Sequence, residues 1–139
     1  MTPLYTAHVN AIGGRAGHVK SDDGTIDLPL SMPKGMGGPG TEKTTNPEQL
    51  FAAGYSACFG GAVGLVARLQ KLAVGAHDIT AFVSIGKDDS GGFSLAVELK
   101  GNFPELPRDQ AEALMKAAHE VCPYSKATRG NIEVTLVVA

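Results

Sequence analysis

One stretch limits what this chain can fold into: Thr45-Asn46-Pro47-Glu48-Gln49-Leu50-Phe51-Ala52-Ala53-Gly54-Tyr55-Ser56-Ala57-Cys58-Phe59. Asn46 is a strong N-cap, and Pro47 in the first helical position forgoes an N–H that has no helical partner. Glu48 follows where the helix macrodipole favours a carboxylate. Beyond Cys58 the apolar positions Val63, Val66 and Leu69, with Leu65 and Leu72 one residue off, keep helical spacing to about Lys71. Few polar residues interrupt it, which predicts a central helix covered on most sides. Gly60, Gly61 and Gly64 thin one side, as close approach by another helix requires. A small six-stranded sheet is too little cover for such a helix, so a homodimer with central helices packed on each other is expected.

The flanking segments supply the sheet. Leu4 to Asn10 reads as a strand, followed by the glycine turn Ile12-Gly13-Gly14-Arg15-Ala16-Gly17. His18 to Ser21 and Ile26 to Leu30 flank Asp22-Asp23-Gly24, whose Asp-Gly suits the positive φ of a tight turn. Met32 to Thr45 is a glycine-rich connection, too irregular for any element, and loops that long are usually functional. Ile79 to Ile85 and Phe93 to Leu99 alternate as strands across Asp88-Asp89-Ser90-Gly91-Gly92. Pro107 opens a second helix with Ala111, Leu114, Met115, Ala118 and Val121 on its apolar face, and Pro123 ends it just after Cys122. Ile132 to Val138 is a final strand. The order β-β-β-α-β-β-α-β predicts an α+β class with mainly antiparallel sheet. At 139 residues, one domain over 1–139 is expected, able to bury roughly two thirds of its unfolded surface.

Composition removes several functions. A net charge of -2 and no run of like charge give nucleic acid no purchase. The longest apolar run falls short of the ~18 residues of a membrane helix. The N-terminal residues lack the basic and apolar regions of a signal peptide, so a cytoplasmic location is expected. Two cysteines in a reducing compartment are more often catalytic or redox-active than structural.

The chemistry is placed at the thiols. Cys58 is mid-helix and draws nothing from either helix end, whereas Cys122 lies at a helix C-terminus, where the dipole opposes a thiolate. A reactive Cys58 needs a cation from elsewhere; the alternative is that both thiols are buried small hydrophobes. Arg15, flanked by glycines, is the best cation, because its fork of donors holds a thiolate and a carboxylate together. Glu48 is the candidate carboxylate. The plainer reading makes Arg15 a solvated turn residue and Glu48 a match to the dipole. Lys43-Thr44 resembles the end of a P-loop, but Glu42 replaces its glycine, and nucleotide binding is rejected. His8, His18, His77 and His119 lack ligand spacing; a Cys–His–Cys site using His119 is the one conceivable metal arrangement. No cofactor is expected.

Gly14-Arg15-Ala16-Gly17, Ser21 to Leu28 and Pro33 to Gly38 resemble, in order, the organic hydroperoxide resistance (Ohr) branch of the Ohr/OsmC family. So do Thr45 to Phe59 and Val121-Cys122-Pro123-Tyr124-Ser125-Lys126-Ala127-Thr128-Arg129-Gly130-Asn131-Ile132. The departures are Lys126 and Thr44, both flanking the motifs. The resemblance implies an OsmC-like intertwined α+β homodimer that reduces organic hydroperoxides to alcohols. It implies Cys58 as the peroxidatic thiol, Cys122 as the resolving thiol, and Arg15 with Glu48 as the activating pair. It also implies a lipoyl-type dithiol reductant. Met32, Met36, Pro39 and Phe51 are the expected apolar lining for the substrate. An OsmC-type peroxidase of broader range and a non-enzymatic thiol sensor are the alternatives.

Overall fold

The computed structural model describes residues 1–139, which divide into two compact units, Met1–Leu50 and Phe51–Ala139. In the first, β1 (Val9–Ile12), β2 (His18–Ser21) and β3 (Asp27–Pro29) form an antiparallel sheet in the order β1-β2-β3. The Asp22-Asp23-Gly24 turn behaves as its chemistry dictates: Gly24 takes φ 74° and the Gly24 N–H bonds the Ser21 carbonyl at 3.0 Å. The first strand starts later than its apolar pattern predicts, because pairing with β2 runs only from Val9↔Ser21 to Ile12↔His18. The long connection is pinned at its mouth, where Ser31 N–H donates to the Thr45 carbonyl at 3.0 Å and Thr41 N–H to Ser31 Oγ at 3.1 Å. This unit buries little apolar surface: Val19 and Leu30 are buried, but Val9, Ile12 and Leu28 are exposed.

The helix α1 (Pro47–Leu69) is capped as the sequence requires, with the Gln49 N–H donating to Asn46 Oδ1 at 2.9 Å. It runs unbroken past Gly54 and through the second unit. There Tyr55, Phe59, Ala62, Val63, Val66 and Ala67 enter the core, each large side chain contributing roughly 1.5–3 kcal/mol of burial. The opposite stripe, Ala53, Ala57, Gly61, Gly64 and Leu65, is exposed. The expectation of a helix covered on most sides therefore does not hold within one chain. With 23 residues and mean hydropathy 1.6 over 18 of them, α1 is also long and apolar enough to span a bilayer. Counting uninterrupted apolar residues misses this, since Gly and Ser break the run without making it polar.

A second three-stranded sheet, in the order β4-β5-β6, comprises β4 (Asp78–Lys87), β5 (Phe93–Asn102) and β6 (Glu133–Val138). Antiparallel pairing of β4 with β5 is followed by parallel pairing of β6 with β5. Six strands thus make two sheets, not one. Between β5 and β6 run α2 (Arg108–Val121) and α3 (Pro123–Thr128). Ala111, Leu114, Met115 and Ala118 of α2 are buried as predicted; Val121 is exposed, and Cys122 holds the buried place beside it. Pro123 does more than stop α2: it takes the first turn of α3, where a missing N–H costs nothing.

Candidate functional site

The glycine turn exists to present Arg15. Gly13 adopts φ 75°, and a Cβ on Gly17 would overlap the Ile12 carbonyl, so only glycines let the chain fold back this tightly around Arg15. Arg15 Nη1 donates to Glu48 Oε2 at 2.9 Å and Nη2 to Oε1 at 2.7 Å, a bidentate charge-assisted pair. The Glu48 side chain is 13% exposed and that of Arg15 33%, so the pair is largely withdrawn from water. Hydrogen bonding from Arg15 holds the Glu48 carboxyl below its ordinary pKa, and the same bond raises that of Arg15. Met36 Sδ lies 4.0 Å from Arg15 Nη1. Met32 and Pro39 stand on the same connection, half-buried and exposed respectively.

The two cysteines meet in the second unit. Both are free thiols, and the Cys122 and Cys58 sulfurs lie 3.6 Å apart. Cys58 is half-buried on α1; Cys122 is fully buried at the vertex where α2 ends and α3 begins. Burial pushes the Cys58 thiol up, the Tyr124 backbone N–H pulls it down, and the neighbouring Cys122 pushes it up again. Cys58 thus gains something from a helix end after all, in the first turn of α3 and not in its own helix. The Tyr124 ring lies over Gly54, where an added Cβ would stand 3.0 Å from its hydroxyl and 3.2 Å from Cε2. Gly54 is a seat for that ring and not a break in the helix. Phe51 completes an aromatic group, its centroid 5.9 Å from Tyr55 and 6.2 Å from Tyr124.

Around the thiols, sequence reasoning singled out His119 only as a conceivable metal ligand and passed over Tyr55, Ser125 and Thr128. His119 Nδ1 bonds Ser125 Oγ at 2.8 Å, and the Tyr55 hydroxyl bonds Ser125 Oγ and Thr128 Oγ1 at 3.0 Å each. Burial pushes His119 below its ordinary pKa. His119 and Ser125 lie three residues to either side of Cys122, and Thr128 lies three beyond Ser125. That spacing was the available signal. His8 and His18 instead pair with Asp22 and Asp27 in the first unit.

The OsmC-like protein family model matches residues 40–137. Organic hydroperoxide resistance protein OhrB of Bacillus subtilis is 54% identical over 136 residues, covering 96% of each chain. The organic hydroperoxide resistance protein of Xanthomonas axonopodis pv. citri is 50% identical, covering 98% of this chain and 95% of that one. Among solved structures, an organic hydroperoxide resistance protein from Elizabethkingia anophelis superposes with TM-score 0.92 at 51% identity, covering 100% of this chain and 99% of that one. The Bacillus subtilis OhrB crystal structure does so with TM-score 0.89, covering 99% and 100%.

Proposed function

The chain belongs to the OsmC-like family, in its organic hydroperoxide resistance branch, and from that premise we propose that it is a cysteine-based peroxidase that reduces organic hydroperoxides to alcohols. The observation that carries the reading is the contact of two free thiols, 3.6 Å apart, one half-buried and one fully buried. The Cys58 thiolate attacks the distal peroxide oxygen; the O–O bond breaks, and the alkoxide takes a proton to leave as alcohol. Cys58 is then a sulfenic acid. The Cys122 thiol attacks its sulfur, water leaves, and a Cys58–Cys122 disulfide protects the site from over-oxidation. A lipoyl-type dithiol in the cytoplasm returns both thiols by exchange, supplying two electrons per cycle.

Activation is the step that needs a further group, since burial disfavours the Cys58 thiolate. We assign that group as Arg15 of a partner chain, held in place by Glu48. Two of its N–H groups are taken by Glu48, and a guanidinium has five. Along the unbroken α1, Glu48 and Cys58 are ten residues apart, about 15 Å of rise, and point about 80° apart. One Arg side chain, reaching ~7 Å, is too short to serve both on a single helix. The exposed stripe on α1 and the exposed Val9, Ile12 and Leu28 support a homodimer that covers them. Mixed dimers of an Arg15→Ala chain with a Cys58→Ser chain should regain activity at one of two sites; mixed dimers as dead as either parent would place the site within one chain.

The reading is tested by consumption of cumene hydroperoxide with dihydrolipoamide as reductant. Continuous turnover, faster than with hydrogen peroxide, is the expected result. Consumption that stops after one round despite excess dithiol would mark a sensor instead.

A further inference from the structure

Cys122 is a single extended residue between two helices, with φ -67° and ψ 125°. Its N–H bonds Ala118 O and its carbonyl accepts from Lys126 N–H, both at 3.0 Å, so it is bonded to each helix. Those bonds leave the angle between α2 and α3 free to vary about that one residue. Two ties brace it: Arg129 at the end of α3 donates from Nη2 to the His119 carbonyl of α2 at 2.6 Å, and a chain of side chains lies one helical turn from the vertex. His119, three residues before Cys122, bonds Ser125, three residues after it, across the vertex at 2.8 Å. Ser125 bonds Tyr55, which stands three residues before Cys58 on α1.

The direction of this chain follows from counting protons. Thr128 donates its one hydroxyl proton to the Ser125 carbonyl at 3.1 Å, an acceptor with none to give. Tyr55 must therefore donate to Thr128 at 3.0 Å, and Ser125 to Tyr55 at 3.0 Å. Ser125 then has no proton left, so His119 donates from Nδ1. Every member is satisfied, and Tyr55 and Ser125 are fully buried. In such an environment a complete network is stiff, and a broken one leaves unpaired groups.

We propose that His119, Ser125, Tyr55 and Thr128 are positioning residues that clamp the α2–α3 vertex to α1 and so set how readily Cys122 joins Cys58. This rests on the reading that the two thiols form a disulfide. Each end of the clamp stands three residues from a thiol, Tyr55 from Cys58 and His119 and Ser125 from Cys122. Loosening it lets the vertex sample many separations, which lowers the effective concentration of one thiol at the other.

The test needs no peroxide. The protein is equilibrated with oxidised and reduced glutathione; each oxidised glutathione takes two electrons from Cys58 and Cys122, giving the protein disulfide and two reduced glutathiones. Tyr55→Phe and Thr128→Val delete a hydroxyl and keep the shape, whereas Thr128→Ser keeps the hydroxyl. The equilibrium constant for the disulfide should fall on the order of tenfold in the first two, while Thr128→Ser stays within about threefold of the parent. Thermal melting identifies the folded variants, and if Tyr55→Phe does not fold, the Thr128 pair decides. A folded Thr128→Val with the parent's constant overturns the clamp, even if hydroperoxide turnover is intact. A parent protein that forms no Cys58–Cys122 disulfide overturns the reading beneath it and the clamp together. Nitrogen-15 NMR of His119 gives a second readout: the Nδ1–H tautomer is expected, and the Nε2–H tautomer would break the chain of donors.

Discussion

Replacing Glu48 by Gln removes a charge while keeping the shape of the side chain, and the cost can be bracketed from its surroundings. Exposed ion pairs contribute ~0–1 kcal/mol, while removing one partner of a fully buried pair costs ~3–5 kcal/mol. With Glu48 13% and Arg15 33% exposed, the pair falls between these limits. Gln keeps one acceptor oxygen, so one of the two bonds survives in weakened form; a loss of about 1–2 kcal/mol at pH 7 is expected. The pH dependence identifies the source. Arg15 lowers the folded-state pKa of Glu48 below its reference value of 4.5, so the stabilisation is whole above pH 4.5 and drains as the pH falls through the lowered value. Gln does not titrate, so the gap between parent and variant should close under acid. Asp23, Asp27 and Asp88 also titrate low, but they are common to both proteins and cancel in the difference. Urea unfolding followed by far-UV circular dichroism suits a chain without Trp. A gap that stays constant from neutral to strongly acid pH would show that packing, and not the ion pair, is responsible.

Cys58→Ser should reduce hydroperoxide consumption to background, because a serine hydroxyl at its free pKa is a far weaker nucleophile. Cys122→Ser should react once and then proceed to the sulfinic acid, visible by mass spectrometry; equal loss of the first round in both variants would reverse the assignment. Arg15→Ala should shift the pH profile of Cys58 labelling by iodoacetamide upward by ~1–3 units, with Arg15→Lys recovering only part. Gly101→Ala, whose Cβ would strike the Phe103 ring and stand 2.7 Å from Met115 Sδ, should cost ~1–3 kcal/mol in urea unfolding.

What could be read in the sequence was local. Asn46 and Pro47 announce the start of α1, and Asp22-Asp23-Gly24 announces its turn, because each acts within a few residues of itself. The parallel return of β6 beside β5 was not readable, being settled by tertiary pairing across α2 and α3. The split into two sheets escaped for the same reason. At six residues, α3 is too short for periodicity to reveal, and Pro123 reads equally well as a stop or a start. Arg15 and Glu48 were singled out by residue type and meet across 33 residues of sequence. Tyr55 and Ser125 meet across 70, and nothing in an apolar helix marks one Tyr hydroxyl as the partner of a distant Ser.

The most direct measurement treats the reduced protein with a single equivalent of cumene hydroperoxide and no reductant, then maps the product by intact and peptide mass spectrometry. Cumyl alcohol should appear in step with a chain lighter by two hydrogens, with Cys58 and Cys122 joined in one cross-linked peptide pair. Alcohol formed while Cys58 and Cys122 both remain alkylatable, or no alcohol at all, would contradict the account.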